Sequence, residues 1–186
     1  MLQESTGLAG IRLLTPRRFA DNRGWFSEVW SKRDLIAAGI TCDFVQDNHS
    51  ASDAPGTLRG LHYQRPPHAQ AKLVRCTRGA IFDVAVDARI GSPSYGRWVG
   101  VELSAENGRQ LFIPEGFLHG FVTREAASEV QYKCSAYYAP ECDGAVHWDS
   151  LGIDWGLKGA PVLSPKDAGA PAFADWQSPF RFEGAA

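Results

Sequence analysis

Short runs of apolar residues recur along most of the chain, and many alternate with polar residues. The runs are rich in Val, Ile, Phe, Tyr and Thr, and Gly, Pro, Asn or Ser separates them, which is typical of β-strands joined by turns. The pattern predicts strands at IRLL (11–14), WFSEVW (25–30), FVQDNHS (44–50), TLRGLHYQ (57–64), KLVRCT (72–77), AIFDVAVDARI (80–90), WVGVEL (98–103), RQLFI (109–113), HGFVT (119–123) and EVQYKCSAYY (129–138). Many short strands favour an antiparallel barrel or sandwich, so we expect an all-β fold.

Helical signals are few. Ser31 is placed to cap the segment KRDLIAA, and Gly39 is placed to end it. The last part of the chain is rich in proline, at Pro140, Pro161, Pro165, Pro171 and Pro179. Residues 139–186 are therefore expected to form loops and short helical turns over the barrel. A length of 186 residues suits a single domain, 1–186, without an internal repeat or a low-complexity linker.

Alternation within a strand assigns its side chains to two faces. In AIFDVAVDARI, one face carries Phe82, Val84 and Val86, and the other carries Asp83, Ala85 and Asp87. The two aspartates lie either in a polar pocket or on a solvated outer surface. In LRGLHYQ, strict alternation separates Arg59 from His62. If both residues serve one pocket, Gly60 should mark a bulge or bend between them.

The charge balance limits the range of partners. Nineteen Lys and Arg face 21 Asp and Glu, a net charge of −2, whereas nucleic-acid-binding domains usually carry a strongly basic face. A nucleic-acid polymer is therefore not expected, but a small anionic ligand needs only a local cluster of cations. No apolar run has the length of a membrane span, and MLQESTGLAG lacks the features of a signal peptide, so we expect a cytoplasmic protein. Cys42, Cys76, Cys134 and Cys142 form no C-x-x-C pair and are expected to be structural thiols.

Polar residues also occur inside segments that otherwise predict core strands. Burial of such groups is unfavourable unless they pair or meet a ligand, so their number favours a polar ligand pocket in the barrel. The candidates are Arg23, Glu28, Gln46, Asp47, Asn48, Arg59, His62, Lys72, Asp83, His119, Tyr132, Lys166 and Asp167. Structural interpretations are also open: His62 as a satisfied core histidine, Tyr132 as a buried aromatic and Lys72 as an edge residue.

No known metal or cofactor motif accompanies these residues. The histidines lack the H-x-H spacing of metal-binding barrels, so a metal centre is not expected. The sequence also lacks a G-x-G-x-x-G after a strand, a G-x-x-x-x-G-K-[ST] and a G-x-S-x-G. What remains is a set of His, Tyr, Lys, Asp and Arg, which suits proton transfer without a cofactor.

Several motifs in one order carry a family resemblance. RGLHYQ (59–64), VDARIGSPSYG (86–96), IPEGFLHGF (113–121) and LSPKD (163–167) are joined by FADNRGWFSEVW, QAKLVRC and VQYKCSAYYAPE. Over residues 19–167 the chain resembles the dTDP-4-dehydrorhamnose 3,5-epimerase family. The resemblance implies a cupin-type jelly roll that forms a homodimer. It also implies epimerisation of dTDP-4-dehydro-6-deoxy-D-glucose at C3 and C5, which gives dTDP-4-dehydro-L-rhamnose.

The resemblance further implies roles for individual residues. His62 would be the base, oriented by Asp167, and Tyr132 would be the acid on the opposite side of the sugar. Lys72 would neutralise the oxyanion, with Asp83 nearby. The nucleotide and sugar would be held by Arg23, Glu28, Gln46, Asp47, Asn48, Arg59, His119 and Lys166, and the thymine by Tyr138 with Phe26 and Phe19.

Three alternatives remain open at the level of the sequence. Relatives that epimerise a single carbon of a dTDP-4-keto-6-deoxy sugar share these motifs. A catalytically silent cupin that only binds a nucleotide sugar would share the fold. A metal-dependent cupin enzyme is the third alternative, and the histidine spacing argues against it.

Overall fold

Strands form most of the regular secondary structure in the computed structural model, which describes residues 1–184. The strands are β1 Leu2–Ser5, β2 Arg12–Thr15, β3 Arg18–Asp21, β4 Gly24–Ser27, β5 Gln46–Ser52, β6 Leu58–Gln64, β7 Lys72–Arg78, β8 Ala80–Asp87, β9 Trp98–Ser104, β10 Gln110–Ile113, β11 Phe117–Thr123, β12 Ser128–Cys134 and β13 Asp143–Ala145. The helices are α1, Lys32–Ala37, and α2, Pro165–Ala168, and Pro140–Cys142 forms a 3₁₀ turn. Residues 185–186 of the predicted C-terminal segment lie outside the described residues.

Two antiparallel sheets form the body of the fold. One sheet has the strand order β1-β2-β10-β7-β12-β5, and the other has the order β13-β6-β11-β8-β9. Strands β3 and β4 form a separate antiparallel hairpin. Every pairing between named strands is antiparallel, which confirms the all-β prediction.

Apolar side chains fill the space between the sheets and cover both outer faces. Between the sheets, Val74 and Leu111 of one sheet pack with Ile81, Ala85 and Phe121 of the other. The outer face of the five-stranded sheet is covered by the C-terminal segment, through residues that include Val146, Ile153, Trp155 and Phe180. The outer face of the six-stranded sheet is covered by α1 and the residues after it, through Leu35 and Ile40. No helix in residues 1–184 is both long and apolar enough to cross a bilayer.

Strand β8 follows the predicted alternation, but its acidic face is not solvated. Phe82, Val84 and Val86 face the C-terminal segment, whereas Ile81 and Ala85 face the other sheet. Asp83 and Asp87 are both 0% exposed. The interpretation of these aspartates as solvated outer positions is therefore wrong, because their face is the interior of the sandwich.

The sequence pattern did not predict β1, β3 or β13. These strands are defined by backbone pairing and not by an alternation of apolar residues. β1 and β3 are mostly exposed and carry polar residues among their apolar ones. β13 has the sequence DGA and exists through its pairing with β6. The predicted helix is present as α1, with Ser31 at its N-cap position and Gly39 just beyond its end at φ +77°. The Ser31 side chain makes no capping hydrogen bond.

A buried cluster of hydrogen bonds connects the end of β8 to the loop that follows it. The Asp87 carboxylate accepts hydrogen bonds from Arg89 Nε at 2.8 Å, from Ser92 Oγ at 2.6 Å and from Ser94 Oγ at 2.6 Å. Burial alone raises the pKa of Asp87, but the hydrogen bonds from Arg89, Ser92 and Ser94 outweigh it and lower the pKa to about 2. The Arg89 guanidinium also lies 4.5 Å from the centre of the Phe117 ring.

The low pKa of Asp87 predicts an acid-dependent contribution to stability. Its carboxyl has an ordinary pKa of 3.8 and a folded pKa of about 2. The contribution is complete above pH 3.8, about 2 kcal/mol, and is lost as the pH falls through the folded pKa. Asp87→Asn should therefore lower the free energy of unfolding at pH 7, and the gap to the wild type should close towards pH 2.

Urea unfolding followed by tryptophan fluorescence across this pH range measures the gap. Asp175→Asn makes the same chemical change at an exposed position and should leave the stability almost unchanged. A gap between wild type and Asp87→Asn that stays constant from pH 7 to pH 2 would contradict the assignment.

Candidate active site

A polar cleft opens at one end of the space between the two sheets. It encloses about 450 Å³ and is lined by Ser50, Arg59, His62, Lys72, His119, Phe121 and Tyr132. A second cleft of about 600 Å³ shares His62, Lys72 and Tyr132 with it and extends to Gln46, Asn48, Tyr138, Asp143 and Lys166. The structure thus brings together most of the predicted site residues in one continuous polar region.

A buried carboxylate orients His62. His62 Nε2 donates a hydrogen bond to Asp167 Oδ1 at 2.5 Å, and the Asp167 side chain is only 3% exposed. Burial raises the pKa of Asp167, but the hydrogen bonds from His62, Ser164 and Gly60 outweigh it and lower that pKa. The carboxylate is therefore charged at neutral pH. With its proton on Nε2, the imidazole has Nδ1 free to accept a proton.

The short helix α2 holds Asp167 in place. Ser164 is its N-cap, and the Ser164 hydroxyl accepts a hydrogen bond from the Asp167 amide at 3.1 Å. Pro165 occupies the first helical turn. The N–H groups there make no hydrogen bond within the helix, so the missing N–H of proline costs no helical hydrogen bond. The sequence SPKD therefore sets both the start of the helix and the position of the carboxylate.

Gly60 allows Arg59 and His62 to line the same cleft. Its φ is +137°, and a β-carbon at this position would lie 2.5 Å from the Gly120 Cα on β11. The pairing register between β6 and β11 shifts at this point, between His119 and Phe121. The predicted bulge or bend is present as a break in the strand register. Only glycine fits, because both the φ and the close backbone approach exclude a side chain.

A second buried pair lies beneath the cleft. His119 Nε2 donates to Asp83 Oδ1 at 2.7 Å, and the two residues are 5% and 0% exposed. Burial lowers the pKa of His119, and the charge of Asp83 opposes that effect without overcoming it. His119 is therefore neutral at pH 7. The second oxygen of Asp83, Oδ2, is buried without a hydrogen-bond partner.

Lys72 is a cationic residue that lines both clefts. Burial lowers the pKa of Lys72, and the nearby Cys134 thiol and the Asp83 carboxylate act in the opposite direction. Its ammonium lies 5.8 Å from the centre of the Tyr132 ring. A cation in this partly desolvated position interacts strongly with any negative charge that develops nearby.

Tyr132 faces His62 across the cleft. Tyr132 lies on β12 of the six-stranded sheet and His62 on β6 of the five-stranded sheet, and both side chains line both clefts. Burial raises the pKa of Tyr132, so its hydroxyl keeps its proton at neutral pH. A flat ring held between the sheets would have an imidazole on one face and a phenol on the other.

One end of the site contains an acidic residue that the sequence analysis missed. Asp143 Oδ2 lies 2.5 Å from the Lys166 ammonium and accepts a hydrogen bond from the Tyr138 hydroxyl at 3.4 Å. Asp143 comes shortly after Pro140 in a segment without strand alternation, so no sequence signal marked it. Ser50 was also missed, although the alternation in β5 places it on the face of Gln46 and Asn48.

Asp47 does not reach the cleft with its side chain. It lies on the opposite face of β5, where its carboxylate forms an ion pair with the Lys133 ammonium at 2.9 Å. The strand's alternation accounts for this position, because Gln46 and Asn48 occupy the inner face.

Four further predicted residues are also outside the clefts. Phe19, Arg23, Phe26 and Glu28 lie on the β3–β4 hairpin or next to it, and all four are exposed. The Arg23 guanidinium forms an ion pair with Asp21 of the same hairpin at 2.6 Å. Within one copy of the chain, these residues do not join His62 and Tyr132.

The described residues give no sign of a metal site. Within residues 1–184, no group of three or more His, Cys, Asp or Glu side chains is arranged to hold a metal ion. All four cysteines are free thiols.

Comparison with known proteins identifies the family of this chain. The model of the family described as dTDP-4-dehydrorhamnose 3,5-epimerase matches residues 5–175. The chain belongs to this family. A dTDP-4-dehydrorhamnose 3,5-epimerase from Pseudomonas aeruginosa is 53% identical over 168 residues, which cover 89% of this chain and 92% of that protein.

Solved structures agree with the family assignment. The dTDP-6-deoxy-D-glucose-3,5-epimerase of Legionella pneumophila, solved with dTDP-4-keto-L-rhamnose, matches with a TM-score of 0.93 and 44% identity over 98% of each chain. ChmJ, a 3′-monoepimerase from Streptomyces bikiniensis solved with dTDP-quinovose, matches with a TM-score of 0.84 and 35% identity over 90% of this chain and 86% of that one. The protein is therefore an isomerase with the predicted cupin-type fold.

The geometry at Gly60 predicts that the epimerase tolerates no side chain there. Gly60→Ala should destabilise the protein by about 1–3 kcal/mol from the unfavourable backbone conformation alone, and the clash with Gly120 adds to this. It should also separate Arg59 from His62 and reduce turnover. Thermal unfolding and epimerase turnover measure the two effects.

Gly159→Ala is the matched control, because a β-carbon added there would have nothing within 4 Å and the φ of Gly159 is not left-handed. A Gly60→Ala protein that unfolds at the wild-type temperature and turns over normally would show that the bulge has no such role.

Proposed function

We propose that this epimerase inverts C3 and C5 of dTDP-4-dehydro-6-deoxy-D-glucose and thereby forms dTDP-4-dehydro-L-rhamnose. The observation that carries the proposal is the approach of His62 and Tyr132 to one cleft from opposite sheets. Inversion requires a proton to leave from one face of the sugar and another to arrive on the other face. A base and an acid on opposite sides of the ring meet that requirement.

His62 is proposed as the base. The ketone at C4 acidifies the protons on C3 and C5, because the carbanion delocalises into an enolate. Nδ1 of the imidazole accepts the proton, and the charged Asp167 stabilises the imidazolium that results. The Lys72 ammonium then interacts with the negative charge on the enolate oxygen, more strongly than with the neutral ketone.

Tyr132 is proposed as the acid. Its raised pKa keeps the hydroxyl protonated until a strongly basic carbon is present on the sugar. Donation to the face opposite His62 gives the inverted centre. The same pair serves C3 and C5 in turn if the sugar presents both positions to the cleft. Between the two inversions the imidazolium releases its proton to solvent and the tyrosinate takes one up, which resets both groups.

Residues at the other end of the cleft are proposed to hold the nucleotide. Arg59, which lines the first cleft and not the second, is proposed to contact the diphosphate through a guanidinium fork that matches phosphate oxygens. Lys166 lines the second cleft beside Tyr138 and is proposed to provide a further cationic group. Tyr138 is 59% exposed at this end, so its ring face is open to a thymine. The cytoplasmic location stays a prediction.

Epimerisation at one carbon is the second candidate, because the fold and sequence are also similar to a 3′-monoepimerase. The epimerase should incorporate solvent deuterium at both C3 and C5 of dTDP-4-dehydro-6-deoxy-glucose in deuterated water. Mass spectrometry and NMR of the product measure the incorporation and the configuration. Label at one carbon only would support the second candidate, and an unlabelled, unchanged substrate would refute both in favour of a binding protein.

Two variants assign the roles in the same assay. His62→Ala should reduce label at both carbons by a factor on the order of 10² to 10⁴, because it removes the base. Tyr132→Phe should reduce net inversion more than it reduces proton abstraction. Unchanged inversion by Tyr132→Phe would refute the acid assignment.

We also propose a homodimer in which the β3–β4 hairpin of one copy completes the cleft of the other. The hairpin exposes three aromatic side chains, Phe19 by 49%, Trp25 by 57% and Phe26 by 69%. The Arg18 side chain attaches the start of the hairpin to the rest of the fold. Its guanidinium donates to the Ala105 carbonyl at 2.6 Å and lies 4.2 Å from the centre of the Trp25 ring. An exposed aromatic patch on a fixed arm is typical of an interaction surface.

The dimer proposal predicts complementation between two inactive variants. Arg23→Ala damages the hairpin and His62→Ala damages the cleft, so a hybrid of the two contains one site with neither defect. Co-refolding should therefore restore turnover that each variant lacks. A mixture of Arg23→Ala and Glu28→Ala, both at the hairpin, should restore none. Equal activity in the two mixtures, or a monomer by sedimentation, would contradict the proposal.

A further inference from the structure

The segment between β12 and the 3₁₀ turn carries Tyr138 and belongs to no strand or helix. Its backbone groups therefore have no partners in a ladder or in a helical turn, although backbone N–H and C=O groups in a fold need partners. Side-chain amides take that place. Glutamines from three different parts of the chain bind the backbone of four consecutive residues, from Ala136 to Ala139.

Gln64 holds both neighbours of Tyr138. It lies on β6 and is only 4% exposed. Gln64 Nε2 donates to the Tyr137 carbonyl at 3.2 Å and to the His68 carbonyl at 2.7 Å. Gln64 Oε1 accepts a hydrogen bond from the backbone N–H of Ala139 at 2.8 Å. Because an N–H only donates and a carbonyl only accepts, these three contacts fix the orientation of the amide as well as its position.

Two further glutamines bind the rest of the segment. Gln46 Oε1 accepts from the backbone N–H of Tyr138 itself at 2.9 Å. Gln70 Nε2 donates to the Ala136 carbonyl at 2.8 Å. Gln46 belongs to the six-stranded sheet and Gln64 to the five-stranded sheet, so the segment is attached to both sheets at once.

The tip of the Tyr138 ring is held next to the same glutamine. The Tyr138 hydroxyl donates to Asp143 Oδ2 at 3.4 Å. Asp143 lies on β13, directly opposite Gln64 in the ladder between β13 and β6. Two paired positions therefore fix Tyr138, one through the backbone on either side of it and the other through its hydroxyl. Neither contact uses the faces of the ring, on which a base would stack, and 59% of the residue stays exposed.

We infer that Gln64 is a positioning residue that sets Tyr138 as a fixed platform for the base of the nucleotide. The inference rests on the proposed function, in which the Tyr138 ring stacks on thymine. Because contacts within the fold hold the platform, nucleotide binding does not have to order it, and less conformational freedom is lost on binding. Gln64 thus acts on nucleotide affinity through Tyr138 and takes no part in proton transfer.

Gln64→Leu tests the inference because it keeps a side chain of similar length and removes all three hydrogen bonds. The affinity for dTDP should fall by about tenfold, since stacking on a displaced ring is weaker. KM for the dTDP sugar should rise by a similar factor, whereas kcat should change little. Pyrophosphate, which has no base to stack, should bind with the affinity of the wild type. Isothermal titration calorimetry measures both affinities.

A double variant separates positioning from a general loss of structure. In a Tyr138→Ala background, Gln64→Leu should weaken dTDP binding no further, because the ring that it positions is absent. Gln70→Leu removes a single contact of the same segment and should weaken dTDP binding less, in the same direction. It keeps the inference testable if Gln64→Leu does not fold.

Ser178→Ala is the matched structural control. The buried Ser178 hydroxyl donates to the Ala88 carbonyl and accepts from the Phe180 N–H at 3.2 Å, and it lines neither cleft. This variant should lower the melting temperature and leave the affinity for dTDP unchanged.

The outcomes distinguish the inference from the function on which it rests. Wild-type affinity for dTDP in folded Gln64→Leu and Gln70→Leu, equal losses for dTDP and pyrophosphate, or effects of Gln64→Leu and Tyr138→Ala that add in full would overturn the inference alone. A wild-type protein that binds no dTDP, or a Tyr138→Ala variant with full affinity for it, would overturn the proposed nucleotide site and the inference together.

Discussion

The need to pair the buried carboxylates of the sandwich determines the layout of this site. An unpaired charge in such an interior would be strongly unfavourable, so each buried carboxylate has a specific partner. Asp167 binds His62 and Asp83 binds His119. These pairs fix the imidazole rings more firmly than apolar packing would, because both distance and direction are specified. Asp83 has one oxygen without a protein partner, and the charge of nearby Lys72 compensates for it in part.

The same pairing decides the protonation states that proton transfer needs. Asp167 is charged, which makes an imidazolium at His62 tolerable after proton abstraction. Tyr132 is kept neutral by burial, which makes it a donor only towards a strong base. Lys72 lies between the two sheets, where the enolate oxygen would form. The protonation state of each of these residues follows from its own surroundings. In the proposed reaction, the three states together stabilise the transition state more than the neutral ketone.

Much of this arrangement was predictable from the sequence because strand alternation is local. It placed Asp83 with Ala85, and it required a bulge or bend at Gly60 if Arg59 and His62 serve one pocket. Asp143 was not predictable, since a three-residue strand defined by backbone pairing to β6 leaves no apolar pattern. The outward position of Asp47 conflicts with its expected role but follows from the same alternation. The hairpin residues lie outside the clefts because nothing within one chain brings them there.

The two sides of the site are built by the same principle from different elements. On one side, α2 holds adjacent residues in two directions: Asp167 binds the base, and Lys166 binds Asp143 at the nucleotide end. On the other side, β5 does so with Gln46, which binds the Tyr138 backbone and, through Asn48, contacts the surroundings of the acid. Helix α2 thus joins His62 to the end of the site that carries Tyr138, and Gln46 joins that end to β5, the strand that pairs with the strand of Tyr132. These contacts explain why charged and amide groups occupy positions that packing alone would fill with apolar residues.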